Sequence, residues 1–169
     1  MMRVRPARAA DLPAVAQVFR ACFTDSYAGV VPSSVRRAMT PQRALNLWEA
    51  ALAGADAGNT LVADDDAAGV VGVTRVGGPG PEGTGEVASL YVAPAAQGQG
   101  IGQALMTAAL ERLRELGAHR AQLWVFATNP GAQRLYQKLG YRADGRTRVE
   151  PAYGVVELGM SLDLAEVRP

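Results

Sequence analysis

The sequence predicts a single mixed α/β domain, in which one β-sheet carries helices on both faces. Its 169 residues suit one domain rather than two, and 49% of them are hydrophobic, which suffices for a packed core. Segments with helical spacing of apolar residues alternate with short β-rich runs, in the order β-α-α-β-β-β-α-β-α-β-β. Such alternation is typical of α/β architectures, and no repeat or linker divides residues 1–169.

Composition excludes several classes of protein. The net charge is +1, so no overall field draws the chain to nucleic acid or to an anionic membrane. The single cysteine, Cys22, and the single histidine, His119, exclude a disulfide framework and predict no metal site. No apolar run is long enough to span a membrane and no secretory signal is apparent, so a cytoplasmic protein is expected.

The first third of the chain has the pattern of one short strand followed by two helical regions. Val4 lies in the strand, and Asp11 is expected to cap the first helix. The apolar face of that helix comprises Leu12, Val15, Val18, Phe19, Cys22 and Phe23, and Cys22 is expected to be a buried structural residue. The second region is interrupted near Pro41, where Thr40 is placed to cap and Leu45, Trp48 and Leu52 form the apolar side.

The middle of the chain switches to strand patterns. Residues 61–63 and 70–76 are predicted strands, and the aspartate-rich segment 64–69 between them is expected to be a hairpin turn. A calcium loop is excluded there, because the alternating ligands and the closing glutamate are missing. A loop is predicted over 77–85, followed by a strand over 86–92.

The remaining elements are two helices and three strands. Ile101, Leu105, Ala109, Leu113 and Leu116 mark one face of a helix that ends at Gly117. A strand follows over 121–126, and Asn129 opens a short helix that Gly140 stops. Strands are predicted over 141–148 and 153–162, which completes the order given above.

A glycine-rich segment, Gln97-Gly98-Gln99-Gly100-Ile101-Gly102, lies directly between a predicted strand and a predicted helix. Glycines allow close approach of the backbone to a ligand, and the first amides of a helix favour phosphate. No lysine follows the glycines as a Walker A loop requires, and Gln103 replaces the third glycine of a dinucleotide fingerprint. A tight turn with close packing explains the glycines equally well at this point.

Two flanking motifs identify the family that the chain resembles. Glu86-Val-Ala-Ser-Leu-Tyr-Val precedes the loop, and Asn129-Pro-Gly-Ala-Gln-Arg-Leu-Tyr136-Gln-Lys-Leu-Gly-Tyr141 follows the next strand. Together they resemble the GCN5-related N-acetyltransferase (GNAT) superfamily over residues 86–141, about a third of the chain. The matching positions are Gln97, Gly100, Gly102, Asn129, Ala132, Leu135, Tyr136, Lys138, Gly140 and Tyr141.

The resemblance implies a mostly antiparallel twisted sheet whose central parallel strands, 86–92 and 121–126, splay apart around acetyl-CoA. It implies no metal. Asn129 suits both a helix cap and a contact to the pantetheine arm. The residues expected to bind the cofactor are Leu90, Tyr91, Val92, Gln97, Gly98, Gln99, Gly100, Ile101, Gly102, Asn129, Ala132 and Tyr136.

The resemblance also implies how the reaction proceeds. Tyr136 is expected to face the leaving sulfur, although a buried core tyrosine is the alternative. Glu86 is the candidate base, although a solvated or substrate-contacting carboxylate is equally consistent with its position. Leu135 and Leu139 are expected in the core, and Arg146 and Arg148 on a solvated strand face.

The expected acceptor is a primary amine, on a small molecule or a peptide, and homodimers are common in the family. Its pocket is expected to draw on Phe23, Tyr27, Trp48 and Tyr153. A non-catalytic acyl-CoA-binding regulator and an interaction module are the other functions that these residues allow.

Overall fold

The computed structural model describes residues 1–54 and 57–167, and within them one seven-stranded sheet in the order β1-β2-β3-β4-β5-β7-β6. The strands are β1 (Met2–Pro6), β2 (Thr60–Asp65), β3 (Gly69–Gly77), β4 (Thr84–Val92), β5 (Arg120–Phe126), β6 (Arg142–Glu150) and β7 (Val155–Asp163). The helices are α1 (Leu12–Ala21), α2 (Ser33–Ala38), α3 (Pro41–Ala53), α4 (Ile101–Glu115) and α5 (Pro130–Lys138). None of the described helices combines the length and the apolar character needed to cross a bilayer.

The centre of the sheet opens between β4 and β5. These strands are parallel, whereas every other neighbouring pair is antiparallel. Residues 84–86 of β4 pair with residues 120–122 of β5. Beyond them β4 continues to Val92 and β5 to Phe126, but the two strands no longer pair with each other. The predicted splay of the central parallel pair is therefore confirmed.

Helices cover both faces of the sheet, as the sequence predicts. On one face, α1 and α3 pack on β2 and β3 around the fully buried Phe23, Val62 and Val73. On the other face, α4 and α5 pack around Leu113, Leu123 and Met160. Burial of each large apolar side chain stabilises the fold by about 1.5–3 kcal/mol, so both helical layers stabilise the sheet that contains the gap between β4 and β5.

The two helix caps predicted in the first third of the chain have different outcomes. Thr40 accepts a hydrogen bond from the backbone N–H of Arg43 and begins α3. The expectation for Asp11 is wrong, because its carboxylate makes no capping bond to α1. Arg5 of β1 donates to both Asp11 oxygens at 2.8 and 2.9 Å, and the backbone N–H of Arg8 also donates to one of them. A guanidinium on the neighbouring strand thus outcompetes the helix amides for this side chain.

Several boundaries differ from the predicted ones. The second helical region divides near Pro41 as predicted, into α2 and α3, but β4 begins at Thr84, inside the predicted loop. The hairpin between β2 and β3 is confirmed, since Asp65 accepts hydrogen bonds from the N–H groups of Ala67 and Ala68. In the turn these two N–H groups have no partner on a neighbouring strand, and the aspartate carboxylate accepts their hydrogen bonds instead.

Candidate active site

The splayed halves of β4 and β5 form the walls of a cavity of about 530 Å³, called here the slot. The start of α4, one side of α5 and a π-helical turn over Cys22–Ser26 also contribute to its lining. The predicted cofactor residues other than Gln99 all line the slot. They are Leu90, Tyr91, Val92, Gln97, Gly98, Gly100, Ile101, Gly102, Asn129, Ala132 and Tyr136.

A β-bulge in β4 helps the strand to turn away from β5. Arg75 of β3 faces Ser89 and the adjacent Val76 faces Val87, so Ala88 is an extra residue on β4. Beyond the bulge, Ala93 donates its N–H to the Val71 carbonyl on β3. Because pairing alternates along an antiparallel ladder, the backbone groups of Leu90 and Val92 point away from β3 and into the slot.

The Val92 carbonyl is already engaged by two side chains. The Cys22 thiol donates to it at 3.1 Å and the Gln97 amide at 3.0 Å, while Gln97 also donates to the Ser26 hydroxyl at 2.8 Å. Burial raises the pKa of the Cys22 thiol to about 11, which keeps it protonated as a donor. Cys22 is buried as predicted, but it also lines the slot and joins the π-helical turn to β4.

The glycine-rich loop leaves open space in front of α4. Gly98 and Gly100 have φ of +77° and +80°, a conformation that favours glycine, and a Cβ at either would meet no atom within 4 Å. The first hydrogen bond within the helix is donated by the Ala104 N–H to the Gly100 carbonyl. The N–H groups of the residues before Ala104 therefore have no partner within the helix. Gly102 permits close approach of α5, since a Cβ there would lie 3.3 Å from Leu135 Cδ2.

Tyr136 of α5 lines the slot, although only 8% of its surface is exposed. Burial raises the pKa of its phenol to about 12, so the hydroxyl is neutral at physiological pH. Asn129 caps α5 by accepting a hydrogen bond from the Ala132 N–H at 3.2 Å, which confirms its expected structural role. Leu135, expected in the core, is partly exposed and lines the slot.

Comparison with known proteins adds a family to this geometry. Residues 13–141 match the family described as "Acetyltransferase (GNAT) family". This chain belongs to that family. The match extends from α1 to the end of α5, and therefore includes both strands of the slot and the glycine-rich loop of this GNAT domain.

Solved structures share the GNAT fold along nearly the whole chain. A GCN5-related N-acetyltransferase from Kribbella flavida has a TM-score of 0.71 and 29% identity, covering 96% of this chain and 97% of its own. The PaiA N-acetyltransferase of Thermoplasma acidophilum, solved in complex with coenzyme A, has a TM-score of 0.74 at 17% identity, covering 96% and 99%.

A mycothiol acetyltransferase of Paenarthrobacter aurescens (strain TC1) is 47% identical over 64 residues, which is 38% of this GNAT chain. The matched part is only 20% of that relative's length.

Aromatic rings from both sides of the sheet's opening meet at one end of the GNAT slot. Tyr27 lies 5.7 Å from Phe126 between ring centroids, and Phe126 lies 6.2 Å from Tyr153. Of the predicted acceptor residues, Tyr27 and Tyr153 are only partly buried. Phe23 and Trp48 are 0% and 4% exposed, so the structure places them in the core behind these rings.

The structure brings one carboxylate into the slot that the sequence did not indicate. Glu86 lies at the last position of β4 that pairs with β5, opposite Gln122, and is outside the residues that line the slot. Glu157 of β7 does line it and is 7% exposed. One sequence signal for this side of the slot is an alternation along β5. Trp124 and Phe126 alternate with the buried Leu123 and Val125, so they lie on the opposite face of the strand from the core.

Arg146 and Arg148 do not simply point to solvent. Their guanidinium groups lie 4.6 and 4.3 Å from the centroid of the Trp124 ring. Each also pairs with a carboxylate, Arg146 with Asp144 and Arg148 with Glu157. These stacked cations therefore brace the wall of the slot that carries Glu157.

Proposed function

We propose that this chain is an acetyl-CoA-dependent N-acetyltransferase that transfers acetyl directly to a primary amine within a ternary complex. The observation that carries the proposal is the slot between β4 and β5, which has a glycine-rich helix start at one end and Tyr136 beside it. The family match and the coenzyme A complex of the Thermoplasma acidophilum protein support the same cofactor.

The cofactor would be held mainly by backbone groups. The pantetheine arm would pair with β4 through Leu90 in the manner of an added strand, and the pyrophosphate would accept bonds from the α4 amides near Ile101 and Gly102. Gln97 would act by fixing the loop, since its side chain already bonds Ser26 and Val92. Asn129 and Ala132 would border the arm where α5 begins.

In this reaction the amine attacks the thioester carbonyl, a C–N bond forms, and coenzyme A leaves as a thiolate. Glu86 would assist deprotonation of the amine through water, because it lies at the closed end of the slot rather than on its lining. A phenol of pKa about 12 is a weak acid beside a thiol of about 8.5, and full proton transfer costs about 5 kcal/mol. Tyr136 would therefore stabilise the thiolate by a hydrogen bond, and the thiolate would take its proton from water.

The proposal is tested by release of free coenzyme A thiol from acetyl-CoA with a panel of amines. The panel includes amino acids, polyamines, aminoglycosides and peptide N-termini. Tyr136→Phe should lower kcat about 10–100-fold, the effect of losing one hydrogen bond to a charged group, with little change in coenzyme A affinity. Tyr141→Phe is the matched control, because the Tyr141 ring centroid lies 6.0 Å from that of Tyr136 and the buried Tyr141 hydroxyl has no hydrogen-bond partner among the described residues.

Equal loss of activity in Tyr136→Phe and Tyr141→Phe would refute the role of Tyr136. Failure of calorimetry to detect coenzyme A binding would refute the proposal as a whole. Tight binding without thiol release on any amine would favour a non-catalytic acyl-CoA-binding regulator.

A further inference from the structure

Glu157 is an unusual residue for the wall of an acyl-binding slot. It lies on β7 directly opposite Phe126 of β5, and both side chains line the slot beyond the point where β4 has parted from β5. It is 7% exposed, and a buried carboxylate is costly unless its charge is matched. A residue of this kind requires an explanation that packing alone does not supply.

Arg148 matches the charge of Glu157 but does not occupy the whole carboxylate. Its Nε donates to Oε2 of Glu157, and its guanidinium lies over the Trp124 ring. Within the described part of the chain, no donor is bonded to Oε1 of Glu157. The carboxylate is therefore held in one orientation by Arg148, with one oxygen left to accept a hydrogen bond inside the slot.

The rings around Glu157 are suited to a cation. Phe126 is its cross-strand neighbour, Tyr27 packs against Phe126, and Tyr153 closes the same group of rings from the β6–β7 turn. Aromatic faces attract ammonium groups, and a carboxylate in the same recess adds a charge-assisted hydrogen bond. Apolar rings also favour an apolar body attached to the ammonium.

We propose that Glu157 is the acceptor-binding carboxylate, which selects a primary ammonium carried on a largely apolar group, with Arg148 as its positioning residue. The inference rests on the proposed acetyltransferase function, because that function defines the slot as the place where cofactor and acceptor meet. It assigns amine selection to β7, separately from any assistance by Glu86 on β4.

A matched pair of ligands tests the selection of charge. 2-Phenylethylamine and 2-phenylethanol have nearly the same shape, but only the amine is a cation at pH 7. On coenzyme A-saturated wild-type protein, calorimetry should show at least tenfold tighter binding of the amine. Glu157→Gln should reduce that preference to below about threefold while leaving coenzyme A affinity within about threefold.

Glu150→Gln is the matched protein control. Glu150 also contacts Arg148, at 3.9 Å, but it lies outside the residues that line the slot, so its variant should keep the amine preference. Arg148→Lys should weaken amine binding less than Glu157→Gln, since a lysine retains the charge but not the planar contact with Trp124.

Two results would overturn the inference. One is equal binding, or no binding, of amine and alcohol by wild-type protein that has bound coenzyme A. The other is a preference that survives in Glu157→Gln. Both differ from failure of the proposed function, which would appear as absence of coenzyme A binding in every variant.

Discussion

At the scale of single residues, burial decides what each polar group in the slot can do. Tyr136 and Cys22 both have raised pKa values because burial disfavours their charged forms, so both stay neutral; Cys22 donates to the Val92 carbonyl, and Tyr136 is proposed to donate to the leaving thiolate. The sequence motif predicts that Tyr136 lies beside the cofactor, but it does not predict the raised pKa, which depends on the packing of α5 against the sheet. The distinction between an acid and a hydrogen-bond donor is therefore a property of the fold.

The pH profile of turnover should reflect that shift. Wild-type kcat/KM should rise with pH as the free amine becomes available and should show no loss from Tyr136 ionisation below about pH 11, because its pKa is about 12. Tyr136→Phe should lower the whole profile and leave its shape unchanged. An alkaline limb near pH 10 that is present in wild type and absent in the variant would contradict this assignment.

Asp11 offers a prediction on stability. Arg5 hydrogen-bonds its carboxylate and lowers its pKa, so this interaction stabilises the fold above the unfolded pKa of about 3.9 and is lost as pH falls through the lower folded value. Asp11→Asn should reduce the free energy of unfolding at pH 7 by about 1 kcal/mol in urea titrations. The difference from wild type should shrink as the pH falls below about 4.

Asp66→Asn is the control for this measurement. The Asp66 carboxylate meets the N-terminal amine at 3.2 Å, but its side chain is 64% exposed and solvent screens the pair. Its midpoint in urea should stay close to that of wild type. A larger effect of Asp66→Asn than of Asp11→Asn would show that burial is not what distinguishes the two pairs.

At the scale of elements, the start of α4 combines a left-handed backbone conformation with the proposed binding of the pyrophosphate. Gly100 precedes the helix with φ of +80°, and Gly117 follows it with φ of +88°, and a Cβ at either position would meet no atom within 4 Å. The two glycines thus carry the same conformational requirement at opposite ends of one helix. They differ in that Gly100 lines the slot and Gly117 does not.

Alanine at these two positions should separate strain from binding. Gly100→Ala and Gly117→Ala should each lower the free energy of unfolding by about 1–2 kcal/mol, the cost of a left-handed conformation. Gly100→Ala alone should also weaken coenzyme A binding, measured by calorimetry, because its methyl group lies where the pyrophosphate is proposed to bind. Equal coenzyme A affinity in both variants would argue against that placement.

Elements differ in how well the sequence predicts them. The order of strands and helices, the hairpin at Asp65 and the cap at Thr40 follow from local signals, and all are confirmed. The Asp11 cap is wrong because Arg5, six residues earlier on β1, bonds both carboxylate oxygens, and the capping pattern takes no account of such a partner. Glu157 was missed for a different reason, since it joins the slot only when β7 inserts between β5 and β6.

At the scale of the whole molecule, a ligand in the slot should stabilise the fold, because it would connect two halves of the sheet that pair over only residues 84–86 and 120–122. Coenzyme A at 100 times its Kd should add about 2.7 kcal/mol and raise Tm by about 5–10 °C in thermal unfolding. ADP, which lacks the pantetheine arm, should give a smaller shift at the same concentration. A shift below about 1 °C with millimolar coenzyme A would contradict binding in the slot.

The early parting of β4 and β5 also bears on the exposure of strand edges. Open strand edges are templates for pairing between molecules and promote aggregation. Beyond Glu86, the described part of β4 presents such an edge in mid-sheet, but α4, α5 and the π-helical turn recess it. Cys22 and Gln97 occupy its last carbonyl. Access of another strand to this edge is therefore restricted, although the edge itself stays open.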